Sequence, residues 1–149
     1  MMIVIKQFDE LTTRELHDIY RLRIAVFVVE QKCYYQDVDE IDPISYHLQI
    51  IDKGQLAAYC RIYTVRQDDH SRQTVKIGRV CVARAYRHIG LGKQLLRSAI
   101  SFIEEKYPNA RIEIQAQNYL TKFYESFGFT AISEIYLEDE IPHIDMELV

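Results

Sequence analysis

Hydrophobic and polar residues change their period along the chain, and these changes predict where strands and helices lie. Residues 2–8 alternate weakly and are rich in Ile and Val, which is typical of a strand. Thr12 is followed three residues later by Glu15, the spacing of a capping box, and Leu16 starts a series of apolar positions at helical intervals that reaches Phe27. The pattern therefore predicts a strand and then a helix that starts near Thr12.

The rest of the chain predicts a long loop, a meander of three strands, and then alternating helices and strands. Residues 30–45 have no sustained period and contain Pro43, so they are predicted to form a loop of the length that often carries function. A second, polar loop is predicted at residues 66–74. The other predicted elements are strands at 46–51, 55–63 and 75–82, a helix from Leu91 past Phe102, a strand at 111–115, a helix at 118–127 that ends at Gly128, and strands at 130–136 and 143–148.

This order of elements predicts an α/β protein of the α+β type, with a central mixed sheet flanked by helices. The meander is expected to be antiparallel, whereas the strand-helix-strand step from Val82 to Ile114 predicts a parallel pair joined by a right-handed crossover. The chain of 149 residues is near the commonest domain size, so we expect a single domain over residues 1–149. Ligands often bind where such a sheet changes strand direction.

Composition narrows the class of protein. Apolar residues make up 48% of the chain and charged residues 27%, with 5 Gly and 3 Pro, which excludes a disordered or collagen-like chain. Cys33, Cys60 and Cys81 are an odd number without paired spacing, so neither a disulfide framework nor a metal site is predicted. Lys6 comes too early for a signal peptide, and no run of about eighteen apolar residues is present. We therefore expect a cytoplasmic protein.

Charge is segregated along the chain. The formal net charge of −4 predicts neither a nucleic-acid partner nor a membrane partner. Residues 84–97 contain four basic and no acidic side chains, whereas residues 34–42 and 134–147 contain four and six acidic side chains and no Lys or Arg. The pattern suggests an anion bound at one place and a cation at another, although solvated charged faces would explain each run taken alone.

A glycine-rich turn joins a predicted strand to a predicted helix. The apolar residues Val80 to Val82 are followed by Arg87-His88-Ile89-Gly90-Leu91-Gly92 and then by an amphipathic helix. The first amides of a helix have no internal partner and carry the positive end of the helix dipole, so a phosphate can accept several hydrogen bonds there. Glycines let it approach the main chain, while Arg87 and Lys93 add positive charge. Neither a P-loop nor a G-x-G-x-x-G motif is present.

These residues resemble a known family. Arg87-x-x-Gly90-x-Gly92 after an apolar strand is similar to the pyrophosphate-binding motif of the GNAT superfamily of N-acetyltransferases. Asn118 and the run from Phe123 to Phe129 resemble that family's second half-motif. The chain also resembles one branch of this family, the ElaA-like branch. The segments that carry this narrower resemblance are Val26-Phe27-Val28-Val29-Glu30-Gln31, Ile77-Gly78-Arg79-Val80, Ala116-Gln117 and Ile141-Pro142-His143-Ile144. One departure is Glu140, which stands where the ElaA-like pattern has Gly, and it puts the turn before His143 in doubt.

The resemblance implies acetyl-coenzyme A as the donor, and the acceptor is expected to be a small-molecule amine or a peptide amine. The strands at 75–82 and 111–116 would splay apart to admit the cofactor. Pantetheine would pair with the main chain of the first strand, and pyrophosphate would lie on the amides of the turn. The implied cofactor-binding residues are Val80, Cys81, Val82, Arg87, His88, Ile89, Gly90, Leu91, Gly92, Lys93 and Asn118.

The resemblance also places Tyr124 beside the sulfur, where its phenol would be the proton donor that shares or gives a proton to the departing thiolate. From periodicity alone Tyr124 is better explained as a core residue packed beside Phe123 and Phe127, and only the motif match favours a role in the chemistry. The base that takes the amine proton is predicted as His143, with His47 and Glu134 as rivals, since His titrates near neutral pH.

The acceptor is expected to meet the loop at 30–42 and the segment at 138–143, whose carboxylates would attract an amine. Gln31, Tyr34, His47 and Glu134 are the predicted acceptor contacts. A covalent route through a Cys is a weaker alternative, because no paired base is evident. Direct transfer in a ternary complex is therefore expected.

Two other functions are compatible with the sequence. A coenzyme A sensor or interaction module would bind the cofactor without turnover, and Tyr124 argues against it. A purely structural interaction domain would bind no cofactor, and the glycine turn argues against that. Family analogy alone suggests a homodimer.

Overall fold

The structure, a computed structural model, describes residues 1–65 and 72–149. These residues form one mixed sheet of eight strands with helices packed against it. The strands are β1 (Met2–Gln7), β2 (Tyr46–Asp52), β3 (Gln55–Val65), β4 (Thr74–Val82), β5 (Arg111–Gln117), β6 (Thr130–Ala131), β7 (Tyr136–Glu138) and β8 (Ile141–Leu148), and the helices are α1 (Thr13–Arg23), α2 (Leu91–Lys106) and α3 (Thr121–Glu125). Most of the predicted loop at 66–74 falls outside the described residues, apart from 72–74.

The strands follow the order β1-β2-β3-β4-β5-β8-β6, and β7 also pairs with β8. The pairs β1–β2, β2–β3 and β3–β4 are antiparallel, and β4–β5 is parallel across the α2 connection. The predicted mixed sheet with a parallel pair is confirmed. Within the described ranges, no helix is long and apolar enough to cross a membrane.

The two faces of the sheet are covered by different helices. Alternate residues of a strand point to opposite faces. On β3, Ala58 and Cys60 accordingly join the main core under α2, whereas Tyr59 joins a smaller cluster with Ile19 of α1. The apolar stripe of α2 supplies Leu95, Leu96, Ala99 and Ile103 to the main core. The cavity described below is lined from both faces, by Cys81 of the smaller cluster and by Tyr124 of the main core.

The start of α1 is the predicted capping box. The Thr12 hydroxyl accepts the Glu15 amide, and the Glu15 carboxylate accepts the Thr12 amide at 2.9 Å. The helix ends earlier than the periodicity predicts, because Ile24–Glu30 continues as a wider π-helix. The Cys33 amide donates to the Val28 carbonyl at 3.1 Å, a bond that spans five residues. This wider coil brings Glu30 and Gln31 to the cavity.

Two predicted elements near the end of the chain are corrected. The strand predicted at 130–136 is two short strands, β6 and β7, because the Ser133 hydroxyl takes the Asp145 amide that a continuous ladder would use. The helix predicted at 118–127 opens with a 3-10 turn over Asn118–Leu120 and is helical only over Thr121–Glu125. Gly128 follows with φ +98°, a conformation that suits glycine at a helix end.

Candidate active site

The candidate site is a cavity formed where β4 and β5 part. The two strands pair only from Thr74 to Ile77 on β4 and from Arg111 to Ile114 on β5, although both strands continue beyond these points. The β5-facing main chain of Val80, Cys81 and Val82 therefore has no neighbouring strand. A cavity of about 800 Å³ opens at this divergence, and the π-helix and the β7–β8 hairpin also contribute to its wall.

A bulge in β4 lies on the cavity wall. Tyr59 pairs with Cys81 and Arg61 pairs with Gly78, so Arg79 and Val80 together oppose Cys60 alone. Arg79 has φ +51°, which costs an arginine about 1–3 kcal/mol. Its guanidinium offsets this strain with an ion pair to Asp37 at 3.0 Å and a contact with the Tyr35 ring. Both bulge residues line the cavity.

The glycine turn presents the free amides of α2. His88 and Gly90 have φ of +68° and +83°, whereas Ile89 between them does not have a positive φ. When successive residues alternate between left-handed and right-handed backbone conformations, their amides point toward the same side, as in anion-binding nests. The Gln94 amide donates to the Gly90 carbonyl at 3.2 Å, so the preceding amides of α2 have no carbonyl partner within the helix.

The predicted cofactor residues divide into two groups. Those that line the cavity are Val80, Cys81, Val82, Arg87, His88 and Gly92. Those outside its lining are Ile89, Gly90, Leu91, Lys93 and Asn118. Because the Leu91 side chain is buried under the first turn of α2, only its main chain is available to a ligand. Asn118 is half-buried beside Tyr119, which is 75% exposed and does line the cavity.

Arg87 is held from two sides. Its Nε donates to the Val82 carbonyl at 3.1 Å, while its Nη1 and Nη2 donate to the two Glu30 carboxylate oxygens at 2.6 and 2.8 Å. The hydrogen bond and charge of Arg87 lower the pKa of Glu30. This bidentate pair joins the π-helix to the glycine turn across the cavity. In the sequence, Glu30 was marked only by the Val29-Glu30-Gln31 run that resembles the ElaA-like branch.

Tyr124 belongs to both the core and the cavity. It is 4% exposed, and its ring meets those of Phe123 and Phe129 edge-on at centroid distances of 5.2 and 6.0 Å. It also lines the cavity. Burial, and to a smaller degree the neighbouring Cys60 and Tyr119, raises the pKa of Tyr124. The phenol therefore stays protonated over a wide pH range.

His143 lines the cavity opposite β4. It pairs with Gln117 of β5, and its ring stacks on Tyr136 at a centroid distance of 6.0 Å. Its Nδ1 lies 2.7 Å from the Ile141 carbonyl. Since a carbonyl can only accept, Nδ1 carries the proton and Nε2 of the neutral ring is left with a lone pair.

Three predicted acceptor contacts are not brought to the cavity. His47 is fully buried, with Nδ1 2.7 Å from the Tyr59 hydroxyl and Nε2 2.9 Å from the Asp42 carbonyl, so both nitrogens are occupied. Burial lowers the pKa of His47, which keeps the ring neutral. Glu134 is exposed outside the cavity, and Tyr34 is 91% exposed. His47 is therefore a structural residue, and its rivalry with His143 as the base is not supported.

Other polar side chains do line the cavity. Gln31 was predicted and does line the cavity, where its Nε2 lies 3.4 Å from Oε1 of Gln117 and its Oε1 lies 3.3 Å from Nε2 of Gln117. Tyr35, the neighbour of Tyr34, also lines the cavity, and its hydroxyl donates to Asp37 at 2.6 Å. Tyr35 was missed in favour of Tyr34, because a shift of one residue in the loop exchanges a half-buried position for an exposed one. Gln117 was missed because its contact with Gln31 joins residues 86 positions apart in the chain.

Three aspartates of the acidic loop are paired with arginines, whereas Glu40 is exposed, and Glu138 and Asp139 of the second predicted segment line the cavity. Asp37 and Asp42 accept from Arg23 at 2.9 and 2.6 Å. Asp39 accepts from Arg61 at 2.6 Å, and Arg79 contacts both Asp37 and Asp39. Burial alone would raise the pKa of Asp42, but its hydrogen bond to Arg23 and the charge of that residue outweigh burial and lower it. Three arginines from distant elements thus neutralise three aspartates.

The three cysteines are all free thiols and all buried. Burial raises the pKa of Cys81 to about 12, and it also raises the pKa of Cys33 and Cys60. Cys33 lines the cavity but lies against the Asp139 carbonyl at 3.5 Å. Over the described ranges, no group of three or more His, Cys, Asp or Glu side chains is placed to hold a metal ion.

Known proteins are similar to this chain in sequence. A family model described as an acetyltransferase (GNAT) domain matches residues 15–149. A UPF0039 protein of Schizosaccharomyces pombe is 42% identical over 147 residues, covering 97% of this chain and 95% of its own length. Protein ElaA of Escherichia coli is 40% identical over 140 residues, covering 93% of this chain and 90% of its own length.

Solved structures agree with the sequence relatives. An acyl-CoA N-acyltransferase from Pseudomonas aeruginosa superposes with a TM-score of 0.92 at 40% identity, over the full length of both chains. The crystal structure of Escherichia coli ElaA superposes with a TM-score of 0.89 at 36% identity, over 99% of both chains. The chain therefore belongs to the GNAT superfamily of acyltransferases, and within it to the ElaA-like branch.

Proposed function

We propose that this protein transfers an acetyl group from acetyl-coenzyme A to a primary amine by direct attack in a ternary complex. The observation that carries the proposal is the divergence of β4 and β5, with free main-chain groups on one side and the exposed start of α2 at its end. An extended pantetheine arm fits beside an unpaired strand, and a pyrophosphate fits a helix N-terminus.

The cofactor would lie along β4. Pantetheine would pair with the main chain of Val80 to Val82, and pyrophosphate would accept from the amides of residues 88–93, with Arg87 and Lys93 adding charge. The bulge at Arg79 and Val80 is suited to donate an amide to the thioester carbonyl, because charge develops on that oxygen in the transition state. Asn118 would help to bind the cofactor, which is the role that the family resemblance implies.

Tyr124 would stabilise the leaving thiolate. The amine nitrogen forms a bond to the acetyl carbon, the carbon–sulfur bond breaks, and coenzyme A departs as a thiolate with the electron pair of that bond. Because burial raises the pKa of Tyr124, complete proton transfer to a thiolate is costly. We therefore assign Tyr124 as a hydrogen-bond donor to the sulfur.

His143 would take the proton that the amine loses. An ammonium has no lone pair for attack, so the acceptor must be deprotonated before or during transfer. The Nδ1 contact with Ile141 favours the tautomer whose Nε2 accepts a proton. The protonated thiols argue against a covalent acyl-enzyme, because a thiol must ionise to attack a thioester.

Calorimetric titration with acetyl-coenzyme A, followed by an amine panel assayed for thiol release, tests the proposal. Micromolar binding with thiol release supports acetyl transfer. Binding without release to any amine favours a coenzyme A sensor, and absence of binding overturns the proposed cofactor site. Titration with longer acyl-coenzyme A esters measures the preference for acetyl.

The chain offers a matched pair of glycines for locating the phosphate. Gly90 and Gly54 have φ of +83° and +80°, and a Cβ at either meets nothing within 4 Å. Gly90→Val and Gly54→Val therefore impose similar backbone strain in open surroundings. Only Gly90→Val is expected to weaken coenzyme A binding, by at least about tenfold, since it deforms the turn that presents the amides. Equal effects of both variants would contradict the assignment.

A further inference from the structure

One bidentate charged contact at the cavity joins Glu30 to Arg87. Two hydrogen bonds of 2.6 and 2.8 Å join the Glu30 carboxylate end-on to the Arg87 guanidinium. Such bidentate pairs are among the stronger charge-assisted hydrogen bonds and fix both partners in orientation. The acetyl transfer proposed above has no direct need for this carboxylate.

The position of the pair places it against the cofactor. Both residues line the cavity, and Arg87 lies in the turn that would receive the pyrophosphate. The Arg87 Nε also holds the Val82 carbonyl, at the end of the strand that would receive pantetheine. An anionic carboxylate beside a phosphate site weakens phosphate binding by charge repulsion, unless the arginine between them binds both groups or moves from the carboxylate to the phosphate.

The contact is open to exchange. The side chains of Arg87 and Glu30 are 29% and 38% exposed, so neither is locked by packing. Two oxygens of a phosphate can accept from the guanidinium in a bidentate arrangement like that of a carboxylate. A phosphate oxygen can therefore replace Glu30 with little movement of the main chain.

We propose that Glu30 is a latch on Arg87: its carboxylate holds the guanidinium in the free protein and takes it back as coenzyme A leaves. This inference rests on the proposed cofactor site. The exchange weakens coenzyme A binding, because the Arg87 contact with phosphate replaces an existing ion pair. Glu30 is thus a positioning residue that favours product release.

Coenzyme A titration of Glu30→Gln tests the latch. The substitution keeps the size of the side chain and removes the competing charge. We expect coenzyme A to bind about fivefold more tightly, the size of a good exposed ion pair, and to dissociate more slowly in stopped flow. Pantetheine, which has no phosphate, is expected to bind the variant and the wild type equally. The control Glu105→Gln, an exposed glutamate on α2 away from the cavity, removes the same charge and is expected to leave coenzyme A affinity unchanged.

A second background separates the latch from simple repulsion. In Arg87→Gln, the latch predicts that adding Glu30→Gln no longer tightens coenzyme A binding, because no guanidinium is left to release. Tightening that persists in this background, or weaker binding in Glu30→Gln alone, overturns the proposal. Failure of the wild type to bind coenzyme A would instead overturn the cofactor site.

Discussion

The Tyr124 ring packs against Phe123 and Phe129 while the residue lines the cavity. Tyr124→Phe keeps these contacts and removes only the hydroxyl. We expect kcat to fall about tenfold to a hundredfold, since a hydrogen bond to the leaving thiolate is lost, with coenzyme A affinity unchanged. Steady-state kinetics beside calorimetry measures both, and unchanged kcat would exclude Tyr124 from the chemistry.

Individual site residues differed in how far the sequence could predict them. Tyr124 and the glycine turn follow from local motifs, so their numbers were predicted directly. Glu30 and Arg79 were missed as site residues, because the partner of each lies more than forty positions away in the chain. No local pattern marks the positive φ of Arg79, which depends on the bulge against β3.

At the scale of elements, the β7–β8 hairpin shows how a departure from the family pattern is tolerated. Asp139 and Glu140 have φ of +50° and +65° between the paired residues Glu138 and Ile141. Two left-handed residues are what a tight hairpin turn requires, and glycine adopts this conformation with least strain. The turn forms with Glu140 in it, at a cost in strain.

Glu140→Gly is therefore expected to raise the free energy of unfolding by about 1 kcal/mol, because the left-handed conformation no longer strains a side chain. Urea denaturation measures the change. Glu138→Gly is the matched control: it also removes one carboxylate but lies in β7, where glycine is expected to destabilise by about 0.5–1 kcal/mol. Destabilisation by both variants would contradict the strain at Glu140.

The capping box of α1 makes the free energy of unfolding depend on pH in the acid range. Burial acts to raise the pKa of Glu15, but hydrogen bonds from Thr12, Lys6 and Gln49 outweigh it and lower the pKa from 4.5 to about 2. A depressed pKa contributes stability above the unfolded value, and this contribution is lost as the pH falls through the folded value.

Glu15→Gln is expected to lower the free energy of unfolding at pH 7 and to flatten its decline between about pH 5 and pH 2, because the variant has no carboxylate to protonate. Denaturation curves at a series of pH values measure the slope. Glu105→Gln on the exposed face of α2 is expected to retain the wild-type slope. A Glu15→Gln slope equal to that of the wild type would refute the role of the capping box.

At the scale of the whole molecule, Arg23 joins α1 to the long loop. Its side chain is fully buried between Asp37 and Asp42. Arg23→Met leaves two buried carboxylates short of a partner, and we expect the free energy of unfolding to fall by about 3–5 kcal/mol. Arg21→Met, at an exposed position of the same helix, is expected to change it by less than about 0.5 kcal/mol. Equal losses in urea denaturation would refute the buried network.

The sequence by itself determined the order of most strands and helices, the mixed sheet, the capping box and the glycine turn, because each arises from side-chain periodicity or from contacts within a few residues. Only the tertiary structure decided the use of the acidic loop, the burial of His47 and the pairing of Glu30 with Arg87. These depend on which distant side chains the strands bring together. The sequence does not show whether a carboxylate faces solvent, a substrate or a buried arginine, because the tertiary structure determines which side chain lies next to it.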